Sequence, residues 1–138
     1  MGQPAELPPV ERQAIERAAA PAREAWEPAV DLVHLSRQTL GDAALETELL
    51  TLFDRQAQQF AARLGQPMRP GESRWRADLA HTLKGSALAI GAFGVGRAAQ
   101  AYEDAARAET ADLPLRLARL DAAIGAARRT IAELLDRA

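Results

Sequence analysis

The chemistry this chain can offer is concentrated in the stretch WRADLAHTLKGSALAIGA, where His81 is followed three residues later by Lys84, the only lysine among 17 basic residues. A neutral imidazole on a rigid element carries a free lone pair near physiological pH and can act as a nucleophile. Other chemistries are poorly served. With no cysteine there is no thiolate nucleophile, disulfide, zinc–thiolate site or iron–sulfur cluster. Two histidines, His34 and His81, are too few for a metal site built on several imidazoles. Neither has a Glu three residues before it, so the inward Glu-x-x-His pairs of a metal-carboxylate bundle are missing. No metal site is expected, and no glycine-rich P-loop is present.

Helical geometry decides what surrounds His81. At roughly 100° per residue, Leu79, Leu83, Ser86 and Ile90 lie roughly 140° to 200° away from it. If that stripe faces a core, His81 points to solvent, together with Ala77, Asp78, Lys84, Gly85 and Leu88, all within about 60°. Lys84 then shares a helix face with His81. An exposed ion pair contributes only about 0.2 to 1 kcal/mol, so Lys84 would orient and partly neutralise negative charge acquired by the imidazole. Gly85 costs about 0.5 to 1 kcal/mol inside a helix, which suits a site where a partner approaches the backbone. Leu88 would be an exposed apolar contact. Each residue also has a bland reading: a solvated histidine, a surface lysine, a tolerated glycine, a solitary leucine. His34, set among Leu32, Val33 and Leu35, reads as structural.

The elements that hold these residues are all helical. Alanine occurs 32 times, against four Val and four Ile, a balance that favours helix over strand. The region 1–30 holds five prolines and reads as a tail or an accessory helix over about 10–20. From Asp31 a short helix is expected to end at Gly41, and Asp42 can cap the next. That helix, about 43–64, places Leu45, Leu49, Leu52, Phe53, Gln56, Phe60 and Leu64 at three- and four-residue steps, and Gly65 closes it. The linker GQPMRPGES leads to Ser73 as the expected cap of a helix over about 74–90. IGAFGVG turns into a helix over about 95–108. A last helix, about 113–137, carries Leu113, Leu117, Leu120, Ile124, Ala127, Ile131 and Leu134 in a bundle seam. Gly125 within it suggests close approach of a neighbouring helix. These segments predict an all-α, antiparallel up-down-up-down four-helix bundle over 31–138 with an additional short N-terminal helical segment.

Net charge of −2 and pI near 5.7 argue against nucleic-acid or anionic-membrane partners. No apolar run reaches the roughly 18 to 20 residues of a membrane span, and no signal pattern opens the chain. A cytoplasmic protein is expected.

Taken together, Ala-His-Thr-Leu-Lys-Gly-Ser-Ala over 80–87, the following Ile-Gly-Ala, the helix bearing Phe53 and the downstream Tyr102-Glu103 resemble the histidine phosphotransfer domain family of bacterial phosphorelays. Tyr102 and Val95 stand where leucine is more usual. The resemblance implies that His81 is phosphorylated on Nε2 by a receiver-domain phosphoaspartate and passes the group to another receiver. It implies Lys84 as the charge-neutralising residue and Gly85 as a small docking residue, beside Ala77, Asp78 and Leu88. Expected partners are response-regulator receiver domains, with a hybrid histidine kinase among the candidates, and the chain is expected to be a monomer without its own cofactor, Mg²⁺ being supplied by the receiver. No autokinase activity is expected. A histidine-kinase dimerisation domain is a poorer match, because Thr82 stands where an acidic residue normally follows the histidine. A bundle that binds or scaffolds a receiver without accepting phosphate is the alternative.

Overall fold

The computed structural model describes residues 27–137; the accessory helix expected over 10–20 lies outside them. Five α-helices follow one another, α1 Leu32–Thr39, α2 Ala43–Leu64, α3 Ser73–Ile90, α4 Phe93–Ala108 and α5 Leu113–Asp136, and the described residues contain no strand. Packing neighbours are α2 with α3, α3 with α4, α4 with α5 and α5 with α2. The four long helices therefore close a ring in chain order, an arrangement compatible with up-and-down connection through the short loops between them. The short α1 lies against α2 and α3.

Local sequence explains most boundaries. Asp31 Oδ1 accepts a hydrogen bond from the His34 N–H at 3.1 Å, and Asp42 Oδ1 does the same for Leu45 at 3.1 Å, each satisfying an orphan donor of a first turn. α1 ends in the left-handed region at Leu40, one residue before the expected glycine, and Gly41 follows at φ 77°. The two-residue turn from α3 to α4 requires Gly91. Its φ is 84°, and an added Cβ would lie 2.7 Å from the Asp31 carbonyl oxygen. That close approach lets the Asp31 N–H donate to the Gly91 carbonyl at 2.9 Å, fastening the start of α1 to this turn.

Two boundary expectations and one packing expectation are corrected. α3 begins at Ser73 with Glu72 as its N-cap and no side-chain capping bond; the Ser73 hydroxyl instead donates to Glu109 Oε1 at 3.0 Å, tying the start of α3 to the end of α4. α4 begins at Phe93 rather than Val95. No neighbouring helix crowds Gly125, whose added Cβ would meet only Arg129 of its own helix, at 3.4 Å.

The core is formed by Phe53, Ala57 and Leu64 from α2, Ala80, Leu83 and Ile90 from α3, Ala99, Tyr102 and Ala106 from α4, and Leu120, Ile124, Ala127 and Ile131 from α5. The α5 seam is as its spacing predicts. On α2 the buried face is rotated: Leu50 and Ala57 are in the core, while Leu45 and Leu52 are 37% and 49% exposed. The cause is that α2 packs between α3 and α5, so its buried arc is set by two neighbours.

Candidate functional site

His81 projects from the middle of α3 with its side chain 66% exposed. Its Nδ1 lies 3.0 Å from Glu103 Oε1 on α4, and Glu103 is itself buried. The second oxygen, Oε2, accepts from Arg107 Nε at 2.9 Å, and Arg107 Nη2 donates to Asp78 Oδ1 at 3.1 Å. Burial pushes the Glu103 carboxyl up, but hydrogen bonds from His81 and Arg107, reinforced by their charges, outweigh it and hold the group below the usual glutamate value of 4.5. Glu103 is therefore a carboxylate at neutral pH and can only accept. With an obligate acceptor at Nδ1, that nitrogen carries the proton of a neutral ring, and the lone pair resides on Nε2. Since its folded value is depressed, the stability Glu103 contributes is present above about pH 4.5 and is lost as acid takes the pH through the lower folded value.

The remaining predicted residues fall into three groups. Asp78, Gly85 and Leu88 are exposed around His81. Apart from the backbone of its own helix, nothing lies within 4 Å of where a Gly85 Cβ would sit, so no packing among the described residues requires glycine there. Gly85→Ala is accordingly expected to raise stability by about 0.5 to 1 kcal/mol through helix propensity, read by urea denaturation, while adding a methyl group to the surface beside His81. Leu88 is 39% exposed and leans on α4, where an added Cβ on Gly96 would come within 2.9 Å of it.

Lys84 is half-buried and donates to Gln100 Oε1 on α4, and Gln100 Nε2 in turn donates to Asp104 Oδ1 at 2.8 Å. It shares the histidine's side of α3 but is held by α4 rather than lying free.

Ala77 is corrected. Expected on the open face, it is fully buried and cannot touch a partner. His81 and Leu88 both meet α4, so the side of α3 that carries His81 is partly closed by packing, and Ala77 lies only about 40° from His81 around the helix. The wheel assigned α3 one apolar stripe, whereas α3 packs against two long helices and α1.

His34 is structural, as expected. Its ring meets Phe93 edge-on at a centroid distance of 5.0 Å, and its buried Nε2 has no hydrogen-bond partner among the described residues.

Sequence spacing missed a role for Glu103, which lies 22 residues from His81 on another helix. Two signals were available: a glutamate on the buried side of an alanine-rich helix, and Arg107 at i+4, the spacing of an intrahelical ion pair. Among the described residues no group of three or more His, Asp or Glu could hold a metal ion, and no helix is long and apolar enough to cross a membrane. An open cleft of about 370 Å³, lined by Arg63, Gln66, Pro67, Arg69, Glu72 and Trp75, does not include His81.

The described residues thus form a helical bundle that presents His81 outward, with the Glu103 carboxylate at hydrogen-bond distance from its ring. The sequence profile of the Hpt domain matches residues 48–137, and the chain belongs to the Hpt domain family. Members of that family are phosphocarriers in phosphorelays, not kinases, and work with receiver and kinase partners. A rice protein solved by X-ray diffraction and described as a histidine-containing phosphotransfer protein superposes with a TM-score of 0.66 at 18% identity, over 91% of each chain. That likeness establishes the all-α fold. No curated protein sequence matches the chain.

Proposed function

We propose that His81 is the phosphoacceptor of a phosphorelay, taking a phosphoryl group from a receiver-domain phosphoaspartate and passing it to the aspartate of another receiver. The observation that supports this reading best is the Glu103 contact to Nδ1 at 3.0 Å, which leaves Nε2 as the available nucleophilic nitrogen on an exposed ring. In the forward step the Nε2 lone pair forms the N–P bond as the acyl-phosphate P–O bond breaks. The aspartate leaves as a carboxylate, and the histidine proton stays at Nδ1 facing Glu103. Reversal of the same step returns the group to an aspartate.

Such a transfer depends on in-line positioning and charge stabilisation, which the receiver's acidic pocket and Mg²⁺ supply. This chain contributes the nucleophile and Lys84, whose ammonium partly neutralises the phosphoryl charge. Asp78, Gly85 and Leu88 form the docking surface around it, with Gly85 allowing the receiver to approach the α3 backbone. The chain acts as a cytoplasmic monomer with no cofactor of its own and no autokinase activity, and a hybrid histidine kinase can carry the donor receiver.

The test is incubation of the wild-type chain with a panel of phosphorylated receivers from the same organism, followed by acid and base treatment of any label acquired. Label that is lost in acid and survives base is expected. Receivers that bind without ever transferring label would overturn the relay reading in favour of a binding-only bundle.

A further inference from the structure

The contacts at His81 continue beyond the pair that faces Nδ1. Glu103 uses both oxygens, Oε1 towards His81 at 3.0 Å and Oε2 towards Arg107 Nε at 2.9 Å. Arg107 then crosses back to α3 and donates to Asp78 Oδ1 at 3.1 Å. One guanidinium thus bridges the two helices on the side from which the histidine projects, and the path closes: His81 to Glu103, Glu103 to Arg107, Arg107 to Asp78, with Asp78 one helical turn before His81.

We propose that Arg107 is a positioning residue: by gripping the outer oxygen of Glu103 and Asp78 at once, it fixes the Glu103 rotamer that holds His81 Nδ1 and keeps Nε2 bare for phosphoryl transfer. This deepens the phosphoacceptor reading and rests on it. A histidine free in water holds its proton mostly on Nε2, the nitrogen that must be unprotonated here. The opposite tautomer persists only while an acceptor stays at Nδ1. Glu103 has rotatable side-chain bonds of its own, and a planar guanidinium with fixed donor directions restrains a carboxylate better than water or an ammonium does. The burial of Glu103, with only 8% of its side chain exposed against 46% for Arg107, means that its one lasting cationic partner decides where its outer oxygen points.

Glu103 from α4 is the charged group in contact with the His81 ring, and Asp78 and Lys84 share the histidine's side of α3, where Asp78 pairs with Arg107 and Lys84 with Gln100. Lys84 is engaged with Gln100, so it does not substitute for Arg107 on Glu103.

The experiment is a long-range ¹H–¹⁵N correlation on unphosphorylated protein with ¹⁵N-labelled histidine, recorded at alkaline pH, paired with the rate of label acceptance from a receiver. Wild type is expected to show His81 mainly protonated at Nδ1. Arg107→Gln is expected to move most of the population to the Nε2-protonated form and to slow acceptance several-fold. Arg107→Lys should restore part of both, and Glu103→Ala sets the scale for complete loss of the acceptor. Arg107 is half-exposed, and an unchanged thermal melt checks that the fold survives. An unchanged tautomer in Arg107→Gln overturns the proposal, even if transfer slows, because the arginine would then act on receiver docking. The tautomer is read without any receiver. A wild-type chain that shows the Nδ1-protonated ring and the Arg107 dependence, yet accepts no phosphate, would remove the phosphoacceptor reading while leaving Arg107 as the residue that orients the ring.

Discussion

His81→Gln is expected to reduce phosphoryl acceptance to background while leaving the bundle folded and able to bind a receiver. The reason for total loss is chemical. Glutamine's amide nitrogen has its lone pair delocalised into the carbonyl, so no side-chain atom at this position can form the N–P bond, and the other histidine is packed against Phe93 with its Nε2 buried. The reason for an intact fold is equally direct. With its side chain 66% exposed, His81 buries little, and substitutions at such positions usually change stability by less than about 0.5 kcal/mol. Glu103 loses one partner but keeps Arg107 at 2.9 Å, so no buried carboxylate is abandoned. Labelling, a urea melt and receiver affinity measured on the same preparation separate the effects. Equal labelling of wild type and variant would move the phosphoacceptor elsewhere, and a variant that fails to fold would show that the histidine is structural.

The largest effect on stability is expected at Arg76. Its side chain is 2% exposed, and its guanidinium closes the end of α2 and the linker that follows. Nη1 donates to the Leu64 carbonyl at 2.7 Å, Nη2 donates to the Gln66 and Pro67 carbonyls at 2.6 and 3.3 Å, and Nε reaches Glu72 Oε2 at 3.3 Å. The same group lies 5.0 Å from the Trp75 ring centroid. Hydrogen bonds from a charged donor contribute about 1.5 to 3 kcal/mol each, and removing a shared donor leaves several acceptors unsatisfied at once. Glu72 is 22% exposed and can turn to water, which limits the loss. Arg76→Met, which keeps the bulk and removes the donors, is expected to cost on the order of 3 kcal/mol. That is a large share of the 5 to 15 kcal/mol or so by which a domain is stable. Arg76→Lys should fall between the two, since one ammonium cannot span the same carbonyls. Urea denaturation checks this through the midpoint, and a loss below about 1 kcal/mol would mean that water serves these carbonyls as well as the guanidinium does. Label acceptance per folded molecule should be unchanged, because Arg76 lies far around α3 from His81.

Much of this protein is legible from spacing alone, because a helix converts sequence separation into direction by a fixed rule. Asp42 caps where its type and position indicate. Leu120, Ile124, Ala127 and Ile131 face the core because their four-and-three spacing keeps them on one side of α5, whatever that side meets. The same rule placed His81, Asp78, Gly85 and Leu88 on an open face, and the family motif from Ala80 to Ala87 is continuous in the chain. What the spacing could not supply is the angle at which each helix is turned towards its neighbours. On α2 it favoured Leu45 and Leu52, yet Leu50 and Ala57 are buried; on α3 it left Ala77 exposed, yet the packed bundle buries it. Alanine is the common element: small enough to permit the closest helix contacts, it carries almost no hydrophobic signal of its own. The carboxylate that orients His81 comes from a helix 22 residues away, and the arginine that seals the linker reaches back 12 residues to the Leu64 carbonyl. Residue types and local direction are properties of the chain, whereas these meetings exist only once four helices have settled their mutual rotation, which is decided by the packing of all of them together.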